Sequence, residues 1–112
     1  MDSRDAFGND PQIQYMRRVF ARMEKAQGVL LREINMAPYD ERLRRLRDMA
    51  LKLFEKMWAT AMHKGIIENE EGAAILYLYC FSSVLSKGGI SVPPHLLPED
   101  RKIEVFVKEV LK

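Results

Sequence analysis

The chain has 112 residues, 47% hydrophobic and 30% charged, with a net charge of +2; that is enough for one hydrophobic core and too little for two. A single cysteine, Cys80, excludes an intrachain disulfide, and the most apolar run, Ala73 to Leu85, is shorter than the roughly 20 residues a bilayer crossing needs. The small net charge hides an asymmetry: residues 11–64 hold twelve Lys and Arg against six acids and stand at +6, leaving −4 for the remainder.

Residues 1–9 show no periodicity and lack the apolar core of a secretory signal. They are expected to be a disordered lead before a single helical domain spanning residues 10–112, in a soluble, cytoplasmic protein. Asp10-Pro11 reads as an N-cap followed by proline in the first turn, where a missing N–H costs nothing. From there Ile13, Met16, Phe20, Met23, Gln27, Leu30 and Ile34 recur at three- and four-residue steps and form one seam of a first helix. Pro38 ends or restarts that helix, because its ring disfavours helical geometry in Ala37.

A second helix is predicted from about Tyr39 to His63, with Gly65 closing it in a left-handed cap. Its seam is Leu43, Leu46, Ala50, Leu53, Met57, Thr60 and Lys64. The short connection implies an antiparallel hairpin, in which Leu30 meets Leu46, Gln27 meets Ala50, Met23 meets Leu53 and Phe20 meets Met57. A further row, Leu51, Phe54, Trp58 and Met62, is expected to face a third helix.

Asn69 caps that third helix, and Glu70 and Glu71 sit in its first turn, where the helix dipole favours carboxylates. Its body from Ala73 to Leu85 is apolar on every side, whereas a surface helix keeps a polar back. It therefore needs enclosure by its own chain or by another. It ends near Lys87, before Gly88-Gly89. Ile90 to Leu97 is too apolar for a free linker, and Pro98-Glu99-Asp100 opens a last helix with the stripe Ile103, Phe106, Val107, Val110 and Leu111. The fold expected is all-α: a four-helix bundle-like domain built on a long antiparallel hairpin around a central apolar third helix.

No catalytic, metal or cofactor constellation emerges. His63 and His95 lack ligand-spaced partners, Glu68, Glu70 and Glu71 fit a helix N-terminus, and Cys80 lies among apolar neighbours, as a structural thiol does. No enzymatic activity and no cofactor are expected. With three neighbours at most, the third helix is expected to be short of cover, and leaving one large side chain wet forgoes roughly 1.5–3 kcal/mol. The function expected is a non-enzymatic protein–protein interaction module or small-complex subunit, homodimeric, contacting through Trp58, Met62, Tyr77 and Phe81. The alternative is a nucleic-acid accessory protein holding phosphates with Arg18, Arg22, Lys25, Arg32, Arg44 and Arg45. Interleaved acids such as Glu41 and Asp48 weigh against it, since i,i+4 pairs consume that charge.

Overall fold

The computed structural model describes residues 10–111; the lead of residues 1–9 lies outside them. Among the described residues four α-helices follow in order: α1 (Pro11–Glu33), α2 (Glu41–His63), α3 (Glu70–Lys87) and α4 (Arg101–Val110), with a short 3-10 turn at Pro94–Leu96 before the last. Each start is fixed by a side-chain cap. Asp10, Asp40, Asn69 and Asp100 accept backbone N–H bonds from Gln12, Arg42, Gly72 and Ile103, satisfying donors that the first turn leaves without partners.

The ends are equally local in origin. α1 stops at Glu33, ahead of Pro38, because Asn35 turns left-handed at φ 59° and the Met36 N–H bonds back to the Leu31 carbonyl. Asparagine tolerates that conformation better than most side chains. Gly65 (φ 72°) and Gly89 (φ 83°) do the same after α2 and α3.

α3 is the hub. It packs against α1, α2 and α4, whereas the backbones of α1 and α2 scarcely approach one another. The antiparallel hairpin is present, but its expected seam-to-seam register is not: Gln27, predicted to face Ala50, instead accepts a hydrogen bond from the Tyr77 hydroxyl of α3. The physical reason is competition. α3 offers apolar surface on all sides and takes the best-packed face of both longer helices, so Val19 and Leu31, outside the predicted seam, are buried while Phe20, inside it, is 39% exposed.

Most of the cover for α3 comes from within the chain, although Ala74, Ile75 and Leu78 also line a cleft beside α1 and the loop. None of residues 73–85 is exposed, because Ile90, Val92, Leu96 and Leu97 pack onto the core from the loop and α4 adds Ile103, Phe106 and Val107. The Tyr79 hydroxyl donates to the Pro98 carbonyl at 2.8 Å and straps this segment to α3. The expectation that α3 lacks enough companions is therefore corrected: the loop, at half-buried positions, supplies the fourth side.

Candidate functional site

An apolar opening lies between α1 and α2. Because both lean chiefly on α3, a groove runs between them, made of two adjoining clefts that share Phe20. One, of about 680 Å³, is walled by Tyr15, Met16 and Phe20 of α1 and by Trp58, Ala59 and Met62 of α2, with Glu55 its single charged side chain. The other, of about 370 Å³, has Tyr77 within its lining and carries Glu24 on the α1 side and Arg44, Arg47 and Asp48 on the α2 side. Linings from Pro11 to Gln27 extend over about 24 Å at 1.5 Å per residue.

Trp58 anchors the apolar end. Its ring stacks on Tyr15 of α1 at 6.3 Å and on Phe54 at 5.2 Å between centroids. The series continues inward, with Phe54 meeting Tyr77 edge to face and Tyr77 stacking on Phe81. Five rings thus lead from groove wall to core. Among the described residues, Trp58 Nε1 is buried without a hydrogen-bond partner, an omission that buried polar groups seldom show.

Of the four contact residues expected from sequence, Trp58 and Met62 line the groove and Met62 is 42% exposed. Tyr77 lies at the groove's inner side, 4% exposed. Phe81, at 0%, belongs to the core and is corrected from contact residue to packing residue: it stacks on Tyr77, which in turn meets Phe54 of α2. Sequence reasoning missed Tyr15, Met16 and Phe20 as a wall. Their spacing places Phe20 and Met16 in a buried seam, and the signal that they are not is the all-round apolarity of α3.

The basic residues divide. Arg18 donates to Glu70, and Arg22 lies 3.4 Å from the same carboxylate, tying α1 to the start of α3. The Arg18 hydrogen bond, chiefly, holds the Glu70 carboxyl below its ordinary 4.5. Lys25 lines a shallow cleft with Glu33 and Glu71, and Arg44 and Arg45 share another with Glu41 and Asp48. Arg32 lines none of these clefts. No single phosphate-sized stripe gathers the six.

Burial pushes the Cys80 thiol up to about 12, and its sulfur rests 3.7 Å from that of Met57; a protonated, enclosed thiol is no nucleophile. Among the described residues no group of three His, Cys, Asp or Glu side chains converges as a metal-ligand set, and no helix is long and apolar enough to cross a membrane. No family model matches the chain, and no curated protein or solved structure matches it.

Proposed function

We propose that the chain is a non-enzymatic protein–protein interaction module that works as a homodimer, using the apolar walls of α1 and α2 as its contact surface. One observation carries the reading: Tyr15, Met16, Phe20, Trp58 and Met62 gather on one groove. Apolar side chains scattered singly over a surface need no explanation, but clustered ones mark contact sites. Tyr and Trp are also the residue types that dominate interface energetics. The contact surface in this reading moves from α2 and α3 to α1 and α2, because every residue from 73 to 85 of α3 is buried or half-buried. A second copy is the simplest partner, since twofold pairing is the commonest arrangement of small oligomers.

Sedimentation at micromolar concentration tests it, with twice the 13.0 kDa chain mass expected. Phe20→Glu or Met62→Glu places a carboxylate in the groove, and each variant is expected to run as a monomer with unchanged helical circular dichroism. A wild-type chain of monomeric mass up to high concentration removes the homodimer.

A further inference from the structure

Resting on that reading, we infer that the two copies pair about a twofold axis running along the groove, locked by Glu24 of each copy against Arg44 and Arg47 of the other. Face-to-face pairing of two identical grooves allows two principal axes. An axis across the groove sets the apolar end of one copy over the charged end of the other. Arg44 and Arg47 then lie on Trp58 and Met62, losing water without gaining a partner, which is costly.

An axis along the groove does the opposite. The apolar end meets the apolar end, and the α1 wall of each copy lies over the α2 wall of the other. At the charged end this brings the acidic wall, Glu24, onto the basic wall, Arg44 and Arg47, and symmetry repeats the contact. Each α1 also runs antiparallel to the α2 it covers, as the hairpin fixes their directions. The sign pattern is self-complementary only in this pose.

Within one copy, among the described residues, these charges form no ion pair, although Arg47 acts electrostatically on Tyr77. The ion pairs of the described residues engage Arg18 and Arg22 with Glu70, Arg42 with Asp40, Lys52 with Asp48, and Lys108 with Glu104. Glu24, Arg44 and Arg47 are in none of them, although they face the same cleft from opposite walls. Neighbouring Asp48 is already 3.3 Å from Lys52, so the α2 wall stays net positive toward an incoming carboxylate.

Charge reversal on the full-length chain tests the axis, read as a dimer dissociation constant by sedimentation at low salt. Glu24→Arg is expected to weaken the dimer about tenfold or more, as is the double variant Arg44→Glu/Arg47→Glu, because each sets like charges opposite each other. Combining all three substitutions reverses both walls and is expected to restore an affinity within about threefold of wild type. The positions are on the surface or at the groove edge, and circular dichroism checks that each variant folds. A dimer indifferent to Glu24→Arg, or one that the triple variant fails to rescue, overturns this pairing while leaving the homodimer standing. A monomeric wild type, its groove kept for a different occupant, overturns both.

Discussion

Trp58 shows how one side chain can serve the fold and leave something undone. Its ring is clamped between Tyr15 and Phe54, yet its Nε1 proton has no acceptor among the described residues, and an unmet buried donor costs about 1–3 kcal/mol. Trp58→Phe removes that donor and keeps an aromatic ring in the stack. Its loss of stability is expected to be under about 1 kcal/mol, whereas Trp58→Ala forfeits the stack and is expected to cost about 3–5 kcal/mol. Urea unfolding followed by circular dichroism compares the two, and equal losses would show that the indole nitrogen carries no penalty. The sequence marked Trp58 and Met62 as residues of interest through their row on the second helix. It gave no hint that the indole nitrogen would lack a partner, since that depends on atoms from α1.

At the scale of helices, local chemistry was the most legible. Asp10, Asn69 and Gly65 act where spacing put them, because a cap depends only on residues a few positions away. Which neighbour a face meets was not legible. Periodicity says that Met16 and Phe20 share an apolar side; it does not say that α3 outcompetes α2 for the rest of α1 and leaves these two on a groove.

The anchor between α1 and α3 was also out of reach, since Arg18 and Arg22 read as a free basic stripe while both engage Glu70. This anchor predicts an acid response. The Glu70 carboxyl is held below its ordinary 4.5, so its contribution is present above that pH and drains away as pH falls through the lowered value. Glu70→Gln is expected to lower the midpoint temperature at neutral pH by no more than a few degrees, because solvent screens an exposed pair. The larger effect is a shallower fall below pH 4.5. Parallel acid profiles for the two proteins would remove Glu70 from the account.

For the molecule as a whole, α3 decides both the stability and the site. Its central cysteine and tyrosine are enclosed by the other elements. The same enclosure that deprives Cys80 of reactivity makes it a reporter of global opening. Burial raises Cys80 and Tyr77 each to about 12, against ordinary values of 9.0 and 10.0 in an open chain. The folded state therefore keeps protons that the unfolded state releases, so the stabilisation is whole below pH 9 and declines as pH rises toward 12. Each group contributes at most about 1.4 kcal/mol per pH unit over its interval. The urea midpoint is expected to fall between pH 8 and 10.5, and Cys80→Ala, though weaker overall, is expected to fall less steeply. At pH 8 a thiol reagent should label the native chain only as fast as the core opens, with labelling slowed by whatever stabilises the fold. Rapid labelling of the native protein, or identical alkaline slopes with and without the thiol, would place Cys80 nearer to water than an enclosed α3 allows.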